Sequence, residues 1–396
     1  MRLNRQIQWG LVLLVGLISA ISRLKFNGLI LNFDYGIYQP DGSHYAYRAL
    51  TFLGVDSNVA AERVVNWYQI HGVKNNIFPP SFLKPENVDT WGVTAPRVLY
   101  SILSMPFVYL FGLSGMLVIP ILSFLLLVSC VFRLSEIYMK QWVGFLLVLI
   151  LCTSPTVLRW MIANITDSLV TGLFGVVVLI LTRDISQRIW IFSICSLIIL
   201  TSLTRFCLPI WIAIAAVLWV QRKRTQSLWI FAISTVSFLP TFLYMPSTVI
   251  LPAEGEVSGL VKLFLLVKSF FKVGFYEIAQ LAALDRALLL TIIVAVATSL
   301  RYFRETASQF FLAVCTAVWF IGAINGTVGV NFRYQLPVLV FACWVILSNS
   351  TKFTDWFGGQ NTNLEIGMVK KRKDLKGGVI LSGQSGLQDL NPKTTD

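Results

Sequence analysis

The sequence predicts an all-α, polytopic membrane protein, and three observations carry that expectation. Of its residues 56% are hydrophobic and only 13% charged, and mean hydropathy is +0.72. The apolar residues also fall into a long series of runs separated by short basic clusters. A soluble domain carries about 25% charge, and an apolar run approaching ~20 residues is long enough to cross a bilayer. The net charge is +13, from 32 Lys+Arg against 19 Asp+Glu. In a soluble chain that would suggest nucleic acid. Here the basic clusters between apolar runs follow the positive-inside bias, so no nucleic-acid partner is expected. The six cysteines, Cys130, Cys152, Cys195, Cys207, Cys315 and Cys343, all lie within apolar runs and form no CxxC. They read as small buried hydrophobes, with no disulfide framework or zinc site.

Taken in order, Arg2 and Arg5 precede a first span at Ile7–Ile21, read as an uncleaved helix whose N-terminus is cytoplasmic. Residues 22–97 then form the one long outer loop, with a surface helix at Asn58–Tyr68 and a break at Pro79-Pro80. The next run, Val98–Leu113, decides the topology. Were it to cross, the later clusters Arg133–Lys140, Arg183–Arg188, Gln221–Arg224, Arg301–Arg304 and Lys370–Lys376 would all fall outside. Five clusters outweigh one run, so Val98–Leu113 is expected to be lateral or re-entrant.

Further spans are expected at Met116–Phe132, Trp142–Thr156, Leu169–Thr182, Ile189–Leu203, Leu208–Val220, Leu228–Tyr244, Ala287–Leu300, Phe310–Ala323 and Leu336–Leu347. With the first, that makes about ten crossings, several of them short. Outer loops then lie at Ser154–Ser168, Thr204–Cys207, Met245–Arg286 and Asn325–Arg333. Within the third, Leu260–Phe275 carries Lys262, Lys268 and Lys272, as an interfacial helix would. No internal repeat is visible. The membrane domain therefore covers 1–348, and 349–396 reads as a disordered cytoplasmic tail whose KKRKDLK run faces the anionic inner leaflet.

Chemistry concentrates in Asn32–Leu53, which holds Asp34, Asp41, His44 (one of two histidines), Arg48 and four tyrosines. With Asp41 as the N-cap of a helix, Asp41, Tyr45 and Arg48 share one face, and Ala46, Ala49, Leu50 and Leu53 form an apolar stripe on the other. A capping role alone would not require Asp34, His44 and Arg48 nearby, so the cluster points to a polar active site at a membrane surface. Arg97, Arg159, Arg205 and Arg333 add guanidinium groups to the outer boundaries, against the usual bias. Guanidinium binds phosphate in a bidentate fashion, and a lipid phosphate sits at that depth. Asp167, in ANITDSL, either caps its helix or joins the site. GxxxxGK[ST], HExxH and GxSxG are absent, which removes nucleotide-phosphate loops, common zinc sites and nucleophile-elbow hydrolases. Asn164-Ile165-Thr166 and Asn325-Gly326-Thr327 match the glycosylation acceptor pattern.

The order of these features resembles GT-C glycosyltransferases, specifically the bacterial relatives of protein O-mannosyltransferases and aminoarabinose transferases. The likeness rests on a first span, an acidic outer loop with a DxxxY-type pattern, the lateral TAPRVLYSILSMPFVYLFG, the SPTVLRWMIANITD turn and the late NFRYQLP. The family's adjacent Asp-Glu pair is missing: Asp34 precedes Tyr35, and the second acid is Asp41. The resemblance implies transfer of a sugar from a polyprenyl-phosphate donor to an extracytoplasmic acceptor, with inversion and a carboxylate base. Asp41 is the first choice for the base. Asp34 is the alternative, or a partner that holds His44 or a metal. Arg205 and Arg333 lead as phosphate contacts, with Arg48, Arg97 and Arg159 behind them, and His44, Tyr45 and Asp167 line the substrate site. The one cofactor candidate is a divalent metal near Asp34 and Asp41. Two alternatives stand beside this reading. A ligase or polymerase of lipid-linked glycans would share the donor, and a transporter or flippase would place its charges midway along the spans.

Overall fold

A computed structural model of the chain describes residues 5–25, 39–71, 79–87, 94–244, 259–325, 333 and 335–358. The described chain is helical, with no strand among the described residues. It divides into two units, Met1–Ser348 and Asn349–Asp396; of the second, only residues 349–358 are described, as the end of a helix.

The α-helices are α1 (Arg5–Lys25), α2 (Pro40–Phe52), α3 (Ser57–His71), α4 (Leu99–Phe111), α5 (Val118–Ile137), α6 (Gln141–Thr153), α7 (Pro155–Met161) and α8 (Asp167–Leu181). They continue with α9 (Gln187–Ser202), α10 (Leu208–Val220), α11 (Arg224–Tyr244), α12 (Gly259–Leu284), α13 (Arg286–Arg301), α14 (Thr306–Asn325) and α15 (Leu336–Gly358). Each apolar run of the sequence thus becomes a helix. By length and composition, Arg5–Leu24 and the helical run Leu99–Ile137 suffice to cross a membrane, and the bent pair α6–α7 would make a third. The helices of 13 to 16 residues, such as α9 and α10, reach only about 20–24 Å against a ~30 Å hydrocarbon core.

The run Leu99–Ile137 is not one straight rod. The Tyr100 hydroxyl donates to the carbonyl of Met116 at 2.6 Å, whereas sixteen residues of straight helix would hold them about 24 Å apart. The reversal occurs at Gly112, whose φ of +62° suits glycine, and in the 3₁₀ turn Gly112–Leu117. Gly115 lies so close to the Phe107 carbonyl that a Cβ there would come within 2.1 Å of it. So α4 folds back beside α2 and α5, leaving the 20-residue α5 as the part long enough to cross.

Helix α5 is central, packing against α1, α6 and α8. Small residues set these distances: a Cβ on Gly16 of α1 would meet Leu125 at 3.0 Å, and one on Gly175 of α8 would meet Cys130 at 3.1 Å. Without a hydrophobic drive between helices in lipid, such close approach supplies the packing. The outward face of α1 is apolar, with Ile7, Leu14 and Ile18 about half exposed. Helix α12 likewise leaves Phe264, Phe271 and Phe275 exposed, along with Lys268 and Lys272, while its Phe270 meets Trp319 of α14. The side chain of Lys262 lies outside the described residues.

Polar contacts gather at two ends of this bundle. At one, Glu136 accepts from Arg5 at 2.6 Å, from Trp9 at 3.1 Å and from Arg133. Gln221 donates to Gln309 at 2.9 Å. These contacts join the starts of α1 and α14 to the ends of α5 and α10. At the other, Leu99 N bonds Leu203 O at 3.0 Å, and Ser154 donates to Asp285 at 2.5 Å.

Candidate active site

Four separate stretches converge at the second end. The corner between α6 and α7, a bend of 70°, follows from Ser154-Pro155. The residue before a proline is pushed out of helical geometry, and Ser154 is extended (ψ 116°) while its hydroxyl caps Val157 N at 3.0 Å. The short α7 then buries Arg159 and Trp160. The segment after α7 leads to Asp167 at the start of α8. The turn after α9 presents Arg205, tied back by its amide to the Thr201 carbonyl at 2.9 Å. Arg333 precedes α15, and Asp41 lies in the first turn of α2.

Their charges form one chain. Asp167 is buried, with a side-chain exposure of 3%, and its Oδ1 pairs with Arg205. Its Oδ2 accepts from Arg333 Nε at 3.0 Å. The other arm of the same guanidinium, Nη2, reaches Asp41 Oδ2 at 2.7 Å, and Asp41 keeps 45% of its side-chain surface open. The ring of Trp160 lies under Arg333 and under the neighbouring Arg159, their Cζ atoms 5.6 Å and 4.8 Å from its centroid. Withdrawal from water raises the Asp41 carboxyl. The charge and hydrogen bond of Arg333, with the charges of Arg97 and Arg205, outweigh that and hold it below the usual carboxylate range.

Beside this chain lies a small cavity of about 20 Å³, the room of about one water, lined by Asp167, Arg205, Arg333 and the apolar Val170, Phe206, Cys207, Ile210, Ile321 and Pro337. One wall carries two guanidiniums and one carboxylate; the rest is hydrocarbon. That combination sets anion-binding groups beside an apolar surround.

Several expectations are corrected here. Asp41 does not cap α2: the cap position is Gln39, with no side-chain cap bond, and Pro40 opens the helix. Likewise the residue before α8 is Thr166, and Asp167 binds arginines instead of capping. The apolar stripe of α2 packs inside the protein, and its polar face is enclosed with it. Residues 42–50 are all buried, because the polar face is covered as fully as the apolar one. Tyr45 packs edge-on against Tyr100 at 5.5 Å, and its carbonyl accepts from Ser101 at 3.0 Å. Arg48 turns away from Asp41 and donates to the carbonyls of Thr94 and Ala95 at 2.8 and 3.1 Å. It anchors the approach to α4. His44 is buried. Burial lowers its pKa to about 4, Asp41 opposing and Arg48 adding to the effect, so the ring is neutral near pH 7.

In the sequence Asn164 stands out only as part of an acceptor tripeptide. It is fully buried: its Oδ1 accepts from Gln39 N at 2.7 Å, and its Nδ2 donates to the Tyr68 hydroxyl. In the fold it is inaccessible to glycosylation and instead ties α2 and α3 to the segment before α8. Asp34 and Gly326-Thr327 lie outside the described residues. No three His, Cys, Asp or Glu side chains come together among the described residues. The charged groups nearest Asp41 are arginines, which compete with a cation for its oxygens. Comparison with protein-family models, with curated proteins and with solved structures finds no match to this chain.

Proposed function

We propose that the protein is a membrane glycosyltransferase that moves a sugar from a polyprenyl-phosphate donor to a hydroxyl acceptor on the outer side of the membrane. The observation that carries the reading is the cavity whose polar wall is Asp167, Arg205 and Arg333 and whose remaining walls are apolar, next to the half-exposed Asp41. A lipid phosphate would place its charge on the two guanidiniums, whose apolar neighbours are Phe206, Ile210, Ile321 and Pro337, with its chain lying outside this small cavity. Asp41 takes the proton of the acceptor hydroxyl as that oxygen attacks the anomeric carbon. The bond from the anomeric carbon to the phosphate oxygen breaks on the opposite side, and the phosphate leaves with the electron pair, stabilised by Arg205 and Arg333.

In this reading the end of the bundle carrying the site is extracytoplasmic and both termini are cytoplasmic, as the basic clusters require. A transporter would carry ionisable groups midway along its spans. The charged contacts described here lie near helix ends, which supports surface chemistry. The test uses proteoliposomes loaded with polyprenyl phosphate bearing a radiolabelled hexose, with a crude envelope extract as acceptor. Label should leave the lipid fraction with the native chain, and about 10²-fold more slowly with Asp41→Asn. Equal rates for the two chains, or no loss of label with any of the common hexoses, would count against the reading.

A further inference from the structure

Helix α12 shows the protein one face and leaves the other open. On the inner face Phe270 meets Trp319 of α14 at 6.4 Å, and a Cβ on Gly274 would touch the same indole at 3.8 Å. Glu277, the one carboxylate of the helix, is buried, as is Leu281. On the outer face Phe264, Phe271 and Phe275 are 66%, 69% and 77% exposed. At about 100° per residue the three rings fall within roughly 40° of arc. The exposed Val267 and Ile278 lie to one side of them, and the exposed Lys268 and Lys272 to the other. The result is an aromatic ridge edged by ammonium groups. Helix α11 starts just after Gln221, which bonds Gln309 at the far end of the bundle, and by Phe238 it has reached Phe206 beside Arg205, ring to ring at 5.8 Å. Helix α12 ends at that same site end, where Asp285 accepts from Ser154 at 2.5 Å and from Thr156 N at 3.2 Å and caps Leu288 N of α13. Were α12 to cross the membrane, the link 245–258 with Glu254 and Glu256 would have to cross as well, against the cost of carboxylates in hydrocarbon. The helix therefore belongs along the surface, at the depth of the lipid phosphates.

We propose that the outward face of α12 is a docking surface for anionic phospholipid of the surrounding membrane: the rings of Phe264, Phe271 and Phe275 enter the acyl boundary, and Lys268 and Lys272 hold lipid phosphates. This rests on the membrane placement of the chain and is independent of sugar transfer. A helix lying in the interface binds through its buried apolar area together with attraction to anionic lipid, and the face of α12 supplies both. Lys268 and Lys272, four residues apart, are neighbours on the helix surface, close enough for both ammoniums to reach one phosphate. Charge selects lipid over a second copy of the chain: with no carboxylate on this face, pairing α12 with α12 about a two-fold axis would set lysine against lysine.

The test uses the full chain in lipid nanodiscs. Phe275→Cys is labelled with bimane in a Cys195→Ser background, since the other cysteines are buried. Its fluorescence is quenched by phosphatidylglycerol carrying a doxyl group near the headgroup, or by phosphatidylcholine carrying the same group, each at equal fraction in a phosphatidylcholine disc. The anionic quencher should be preferred by roughly fivefold or more at low salt, and the preference should shrink at high salt. Lys268→Gln with Lys272→Gln should bring the ratio to about one. Both side chains are exposed, so packing is undisturbed, and continued quenching by the neutral lipid reports that the aromatic ridge is still seated. Lys268→Arg with Lys272→Arg should keep the preference, because the charge is retained. Equal quenching by the two lipids before any lysine is changed overturns the phosphate contact. Quenching by neither lipid means that protein covers the face, a second copy or another chain, and overturns the docking. Loss of the anionic preference on adding millimolar inorganic phosphate would assign the lysines to free phosphate and overturn it too.

Discussion

Changing Gly42 to alanine tests the placement of the site without touching a charged residue. Gly42 follows Asp41 in the first turn of α2, and a Cβ there would stand 2.2 Å from Asn164 Nδ2 and 2.3 Å from the Asn164 backbone oxygen. Even to reach 3.0 Å, the closest that real Cβ contacts come, helix and loop must part by about 0.7 Å. The Asp41–Arg333 contact of 2.7 Å would then stretch beyond the ~3.2 Å limit of a good hydrogen bond. Overpacking of this kind costs about 1–3 kcal/mol, offset by the 0.5–1 kcal/mol that alanine gains over glycine in a helix. The net loss is about 1–2 kcal/mol, a fall in Tm of roughly 1–3 °C for a chain of this length. Misplacing a reacting group by such a distance should slow transfer about 10²-fold. Stability is read with a thiol-reactive fluorophore as the buried Cys130, Cys152 and Cys343 become accessible on heating, and transfer by loss of label from the lipid. Gly10→Ala is the control, because nothing lies within 4 Å of a Cβ there. Shortening Asn164 should not rescue Gly42→Ala, since the backbone oxygen remains. A Gly42→Ala chain as stable and as active as the native one would refute the close packing of α2 on the 162–166 segment.

Other expectations follow from the same geometry. Asp167→Asn leaves Arg205 and Arg333, only 10% and 12% exposed, without a shared carboxylate. It should destabilise by about 3–5 kcal/mol in the same melting assay, and a change below about 1 kcal/mol would mean that the pairs are not formed. His44 titrates at about 4 in the fold against about 6.5 unfolded. Between those values only the unfolded chain binds the proton, so stability falls as pH drops from 6.5 to 4. His44→Gln should remove that slope, and an unchanged slope would place the titration elsewhere. For the topology, single cysteines at Ser57 and Ser385 meet an impermeant thiol reagent on intact cells. Ser57 should label and Ser385 should not; the reverse pattern would invert the proposed orientation.

The helices were legible in the sequence because burial in lipid and burial in protein favour the same residues. A run such as Leu208–Val220 emerges as a helix with the expected bounds. The charge clusters led to the expectation of a lateral or re-entrant Val98–Leu113; the reversal at Gly112 is what the fold adds. The crossing number was not so readily given, because α9, α10 and their like are shorter than the hydrocarbon core. Pattern also misplaced the partners of α2. Helical spacing puts Asp41, Tyr45 and Arg48 on one face, but it cannot say that Thr94 and Ala95 supply the acceptors for Arg48 while Arg333, almost 300 residues along the chain from Asp41, reaches Asp41 instead.

Asn164 shows the same limit most clearly. In the sequence it stands in an acceptor tripeptide; in the fold it holds the start of α2 by a side-chain oxygen on Gln39 N. Composition, helix positions and the set of candidate charges are local properties, since each follows from the hydration and backbone preference of a residue and its near neighbours. Which carboxylate meets which guanidinium depends on helix ends brought together from Asp41, Asp167, Arg205 and Arg333. A buried ion pair has no local signature: the cost of removing each charge from water is met only by a partner that the tertiary fold supplies.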